Sequence, residues 1–155
     1  MVFAKLVSNK ERYDEVSQIL REVFVNELEY DEKLVLDISN QEVFHVILYD
    51  GLKEDKAIAS GRLEIINDRA YIKWIAVKKT YRNKKYGDMI LRILIDKAKN
   101  LSIPNIYAII PKALVEIFKK IGFDYPVENM KDYINYNEKD IIMKYNNQAL
   151  SCCHK

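Results

Sequence analysis

Cysteine is nearly absent from this 155-residue chain: only Cys152 and Cys153 occur, side by side in the last four residues. Neighbours at a chain end cannot staple a fold, so a disulfide framework is excluded. With His154 they could attract a stray metal ion; the plainer reading is a disordered tail, residues 147–155, after a single domain of residues 1–146. No metal-ligating constellation occurs elsewhere. Long hydrophobic runs are missing too. None approaches the roughly 20 residues that span a bilayer, and MVFAKLVSNKERYDE lacks the apolar core and cleavage site of a secretory signal. A cytoplasmic protein with no membrane partner is therefore expected. Charge of one sign is also lacking: 25 Lys and Arg face 23 Asp and Glu, for a net charge of +2. That balance argues against a protein that coats nucleic acid. With four Gly and three Pro, there is no repeat, low-complexity tract or linker, hence one domain long enough to bury a sizeable core.

What is present is a clear alternation of periods. Val2 to Val7 reads as a strand. From Glu11, the residues Tyr13, Val16, Leu20, Val23, Phe24 and Leu28 recur at helical spacing, opposite Glu11, Glu15, Gln18 and Glu22. The segment EYDEKLVLDISNQE shows no clear period. Three strand-like runs follow, VFHVILYD, KAIASGRLEII and AYIKWIAV. Asp50-Gly51 and Asn67-Asp68 serve as turns, which predicts an antiparallel meander. Gly87 to Asn100 carries a broad apolar helical stripe, and Ile106 to Ile110 reads as a buried strand. Leu114, Ile117, Phe118 and Ile121 make a short one-sided helix, with Gly122 at its left-handed cap. Weaker strands are expected near Tyr133 and at Asp140 to Tyr145. The strand–helix–strand step from Tyr71 to Ile110 requires a parallel crossover. The fold class is thus α/β (α+β): a mixed, mostly antiparallel sheet with one parallel crossover and helices on both faces.

Between the third run of the meander and the second long helix lies KKTYRNKKYGD, in which five of eleven residues are Lys or Arg. Taken alone, such a loop reads as solvated. Its position matters more than its charge. It joins the C-terminal end of a strand to the N-terminus of a helix, where unpaired amides and the helix dipole favour an anion. Gly87 permits close backbone approach or positive φ, and Arg82, Lys84 and Lys85 add mobile positive charge. A pyrophosphate suits this geometry. The Walker A pattern and the dinucleotide fingerprint are both absent.

The stretch YIKWIAVKKTYRNKKYGDMILRILIDKA resembles the acetyl-CoA-binding core of the GNAT superfamily of N-acetyltransferases. There an apolar strand ending in Val is followed by Arg/Gln-x-x-Gly-x-Gly/Ala opening a helix. Val77, Arg82 and Gly87 fill that signature, and Lys85 replaces its first Gly. ALVEIFKKIGF is similar to the family's short helix and its Gly-Phe ending, Gly122 and Phe123. REVFVNE and LDISNQEVFHVILYD resemble the ElaA-like branch through Arg21, Glu27 and His45, with Leu28 in place of that branch's Gln. The likeness covers about residues 1 to 125.

This resemblance implies acetyl-CoA as cosubstrate. Ile75, Ala76 and Val77 would pair with the pantetheine arm, and the amides of Asn83, Lys84, Lys85, Tyr86, Gly87 and Asp88 would cradle the pyrophosphate beside Arg82. Lys79, Lys84 or Lys85 would reach the 3′-phosphate, and the Val77 N–H would act as oxyanion donor. An acceptor amine of pKa ~10 is only about one part in a thousand neutral at pH 7, so a base is needed. The family's usual Tyr acid on the short helix is replaced by Phe118, which cannot donate, so slow turnover is expected. Glu64 is the candidate base, although a cross-strand pair with Lys73 is its simpler account, through a Glu64–Tyr71 register. Tyr107 is the candidate acid, with half-buried packing as the alternative. His45 reads as a hydrogen-bonded core residue. The implied reaction is direct attack of a primary amine, small molecule or peptide, on the thioester in a ternary complex. Glu27, Glu29, Asp31, Glu32 and Asp37 would attract a cationic acceptor, or simply solubilise a surface. A non-catalytic acyl-CoA-binding module is the alternative function. Nucleic-acid binding through the basic run is the least supported. The chain is expected to be a monomer or a homodimer.

Overall fold

The computed structural model describes residues 1–39, 42–124 and 136–146. The strand expected near Tyr133 and the tail from residue 147 lie outside them. Seven strands form one mixed sheet: β1 (Val2–Ser8), β2 (Glu42–Asp50), β3 (Lys56–Ile66), β4 (Arg69–Val77), β5 (Asn105–Ile110), β6 (Phe123–Asp124) and β7 (Ile141–Tyr145). Their order is β1-β2-β3-β4-β5-β7-β6, and β4–β5 is the single parallel pair among the described residues. The helices are α1 (Tyr13–Leu20), α2 (Glu32–Leu36), α3 (Tyr86–Asn100) and α4 (Val115–Ile121). This is the mixed α/β domain with one crossover that the element order implies.

Helices cover both faces because strand side chains alternate between them. Val46, Leu48, Leu63 and Ile72 meet Ile90, Leu91, Leu94 and Phe118 of α3 and α4. Ile47, Tyr49, Trp74 and Ala76 meet Val16, Ile19, Leu20 and Phe24 on the opposite face, together with Val35 of α2. A third cluster joins Tyr71, Tyr107, Ile109 and Ile142, with Tyr136 packed against it.

Some local features depart from the sequence expectation. The first helix starts at Tyr13 and, from Arg21 to Glu27, widens into a π-helical segment. Its i→i−5 geometry is seen where the Leu28 N–H donates to the Val23 carbonyl at 3.1 Å. Helix α2 lies within the stretch that shows no period. Five residues are too few to display one, and its one local signal is Asp31, whose carboxylate accepts from the Leu34 N–H at 3.3 Å. Ile117, expected on the buried stripe of α4, is exposed, since a 3₁₀ turn over Lys112–Leu114 leaves α4 too short for a broad stripe. Gly122 does cap α4 with φ 123°.

One irregularity positions the site. Ser60 pairs with Ala76 but Arg62 pairs with Lys73, so Gly61 opposes both Trp74 and Ile75. The extra residue is a β-bulge, and Trp74 takes φ 55° to make it. Lys73 and Trp74 consequently share one face, with the Lys73 ammonium 5.5 Å from the Trp74 ring. Opposite the bulge, α3 seats directly on Gly61, where a Cβ would fall 2.3 Å from Ile90 Cγ2. A Gly61→Ala substitution should therefore destabilise by about 1–3 kcal/mol through overpacking, read as a lower urea midpoint with an unchanged m-value.

Candidate active site

The parallel pairing of β4 with β5 ends at Lys73–Ile109. Beyond the bulge, Ile75 to Val77 remain paired to β3 alone. The Lys78 N–H donates to the Ile58 carbonyl at 3.0 Å, which makes Val77–Ala59 a non-hydrogen-bonded pair of that ladder. The Val77 N–H and C=O therefore point away from β3, into the fork where β4 leaves β5. The carbonyl is engaged there by the Arg82 Nε at 2.9 Å. The N–H has no acceptor among the described residues.

The basic run after Val77 first makes a 3₁₀ turn, Lys79–Tyr81, then reaches α3 through Asn83 and Lys85, both with φ 65°. Left-handed residues on either side of Lys84 turn consecutive amides inward, as a nest does. Among the described residues, no backbone N–H from Asn83 to Asp88 donates to a protein acceptor; Met89 is the first to do so, to the Lys85 carbonyl at 3.1 Å. The nest and the N-terminus of α3 thus present one concave row of donors. Lys85 adopts the left-handed conformation even without glycine's freedom. Gly87, by contrast, lies in the first turn of α3, and a Cβ there would meet Ile75 Cγ2 at an ordinary 3.8 Å. Positive φ is thus needed at Asn83 and Lys85, not at Gly87.

Two side chains fix this loop. The Tyr81 hydroxyl donates to Asp50 Oδ2 at 2.9 Å. Arg82 grips the Val77 carbonyl with Nε and both Glu27 oxygens with its terminal nitrogens, at 2.5 and 2.7 Å. Its hydrogen bonds hold the Glu27 carboxyl below its ordinary range. Arg82 was expected beside the phosphates; its guanidinium is instead committed to protein, and it ties the π-helical segment to the end of β4. Lys79, Lys84 and Lys85 are exposed around the loop, and the Lys84 ammonium lies 5.8 Å from the Tyr81 ring.

On the α1/α2 face lies a buried polar group. Arg62 donates to His45 Nε2 at 3.0 Å, to the Asp37 carbonyl at 2.7 Å, to Glu64 at 3.2 Å and to the Val35 carbonyl at 3.4 Å. Glu64 stands opposite Tyr71 and pairs with the Lys73 ammonium at 3.4 Å. Burial lowers the Lys73 ammonium, partly offset by Glu64. Burial, with Arg62 adding to it, pushes His45 down to about 3, so its imidazole is neutral. The same Glu64 oxygen thus faces two cations, the ion-pair role that is its simpler account. Tyr107 is stacked on Tyr71 at 5.5 Å, beneath Lys144 and Arg69. Phe118 is packed edge-on against Phe123 at 5.3 Å in the other core. The structure brings Glu64 and Tyr107 to one face, while the amide row opens at the C-terminal end of β4. Arg62 escaped the sequence reading because nothing in KAIASGRLEII marks its arginine as buried.

The chain belongs to the GNAT family of acetyltransferases, whose model matches residues 13–123 and so takes in the β4/β5 fork, the nest and α3. It is similar to the uncharacterized N-acetyltransferase YjcF of Bacillus subtilis strain 168, 24% identical over 132 residues, 85% of this chain and 91% of that one. Escherichia coli ElaA superposes with a TM-score of 0.77 at 15% identity, covering 94% of this chain and all of its own. The PaiA N-acetyltransferase of Thermoplasma acidophilum, solved in complex with coenzyme A, superposes with a TM-score of 0.66 at 17% identity, covering 94% and 99%. At these identities the structural likeness shows the fold.

Proposed function

We propose that the protein transfers an acetyl group from acetyl-CoA to a primary amine, by direct attack of the amine on the thioester in a ternary complex. The observation that carries this reading is the pairing of two features: a Val77 N–H aimed into the fork, and a row of unsatisfied donors from Asn83 to Asp88. Unpaired backbone donors on a forked strand suit an extended amide-bearing chain laid alongside Val77. The nest beyond it suits a diphosphate, with Lys79, Lys84 and Lys85 placed for a further phosphate. The Val77 N–H, aimed into the fork, would stabilise the oxyanion of the tetrahedral intermediate.

A non-catalytic acyl-CoA-binding module is favoured by one observation: Phe118 offers no hydroxyl where a thiolate would need a proton. Titration with acetyl-CoA and an assay of CoA release with spermidine, tyramine and an alanyl peptide separate the two. The expected result is binding together with amine-dependent release. Binding without release from any amine, unchanged in Phe118→Tyr, would establish the module instead.

A further inference from the structure

We propose that Asp140 takes the proton from the acceptor ammonium, with Tyr30 positioning its carboxylate; this assignment rests on the acetyltransferase reading. Strand β7 begins at Ile141, opposite Ile110, so Asp140 lies just past the end of β5. The last β4–β5 pair is Lys73–Ile109, which puts Asp140 level with the fork, across β5 from β4. Ile142 belongs to the cluster with Tyr71, Tyr107 and Ile109. Two residues earlier along the strand, Asp140 shares that face, on the side of the sheet away from α3.

Tyr30 approaches the same point from the end of the π-helical segment. Its ring packs against Trp74 at 5.9 Å and Phe24 at 5.3 Å, and its hydroxyl donates to Asp140 Oδ1 at 2.5 Å. The Tyr30–Asp140 bond therefore spans the fork, from the bulge on β4 to the start of β7. Asp140 is 9% exposed. Its Oδ2 accepts no hydrogen bond from any described residue.

The surroundings suit a base. Burial raises the Asp140 carboxyl, while the Tyr30 hydroxyl and Lys73 restrain that rise. Lys73 is itself paired with Glu64, behind which stands Arg62. Asp140 thus faces one cation that Glu64 partly neutralises and one neutral donor, whereas Glu64 is paired with two cations directly. A carboxylate of raised basicity is the better proton acceptor.

The step balances. The ammonium N–H bond breaks, the proton goes to Asp140, and the electron pair stays on nitrogen. That nitrogen forms the new C–N bond at the thioester carbon, and the C–S bond breaks with its electrons on sulfur. The second proton lost from nitrogen ends on the CoA thiolate, and the Asp140 proton returns to solvent after product leaves.

The test is the pH dependence of CoA release by the full chain, with spermidine, tyramine and an alanyl peptide, for wild type, Asp140→Asn and Tyr30→Phe. The wild-type kcat/KM should fall on the acid side with an apparent pKa above the ordinary carboxylate range and the same for each amine. Asp140→Asn should lose that limb and about 10²–10⁴ in kcat, with acetyl-CoA affinity unchanged. Tyr30→Phe should keep the limb but move it to higher pH, because a hydrogen bond favouring the ionised carboxylate is gone. A purely structural role would lower Tm and raise KM while leaving the limb in place, and would overturn the assignment. So would a limb that tracks each amine's own pKa and persists in Asp140→Asn; the acetyltransferase reading would survive both results. A wild type that neither binds acetyl-CoA nor releases CoA would overturn the reading and the assignment together.

Discussion

Replacing Arg62 by alanine should lower the free energy of unfolding by about 3–5 kcal/mol, the range for removing one partner of a buried ion pair. The guanidinium is fully buried and bonded to β2, β3 and the α2 region at once. Its loss takes from Glu64 one of the two cations it faces, and removes the Arg62 donor from the Val35 and Asp37 carbonyls. Lysine cannot replace it, since one ammonium cannot satisfy acceptors spread in the plane of a fork. Urea unfolding followed by circular dichroism gives the number. The same group makes stability depend on pH through His45, with a definite sign. The folded imidazole sits at about 3, whereas an unfolded histidine takes a proton near pH ~6.5. Below that value the unfolded chain binds a proton that the folded chain refuses, so stability is full above pH ~6.5, falls as the pH drops towards ~3, and then levels off. His45→Gln, which keeps an acceptor for Arg62, should flatten this part of the stability profile. An acid slope identical to that of wild type would show that His45 is not its source.

Gly87→Ala should move stability and binding in opposite directions. In the first turn of α3 the added methyl meets only Ile75 at van der Waals distance, and alanine favours a helix over glycine by up to about 1 kcal/mol. The protein should therefore be equally or slightly more stable. With a diphosphate seated on the donor row, as proposed, the methyl would crowd the Gly87 amide that faces it. Loss of one charge-assisted hydrogen bond, worth about 1.5–3 kcal/mol, corresponds to roughly a tenfold to hundredfold rise in the acetyl-CoA Kd. Calorimetric titration beside a thermal melt measures both. Unchanged affinity in the stabilised variant would place the diphosphate elsewhere.

Most of the frame is legible in the residues, because burial imposes a period. The meander, α3, β5 and β7 announce themselves by alternation or by helical stripes, and the Asn67-Asp68 turn fixes the Glu64–Tyr71 register from local chemistry. The strand-to-helix basic loop is legible too, since the strand period before it and the helical period after it fix where it sits. What escapes notice has no periodic signature. Helix α2 is shorter than two turns, and the π-helical segment keeps the same hydrophobic residues as an α-helix. The bulge hides inside YIKWIAV, an unbroken strand by composition, because a positive φ at tryptophan leaves no mark in hydropathy. Arg82 matches the family signature in type, yet its partner is decided by Glu27, distant in sequence. The Tyr30–Asp140 pair is illegible for the same reason: two ordinary polar residues meet only because the chain folds back across the sheet.

The bulge at Trp74 also bears on how such a chain can drift. It splits β4 into two half-strands of opposite phase, so the side chains that face α3 after the bulge do not continue the row that faces α3 before it. Arg69 to Lys73 present their alternate residues to the face shared with Tyr107 and Asp140, and Ile75 and Val77 turn theirs to the core under α3. Substitutions that reshape one half need not be answered in the other. Selection can remodel the face that β4 shares with Tyr107 while the half packed under α3 keeps its register, a division of labour drawn within a single strand.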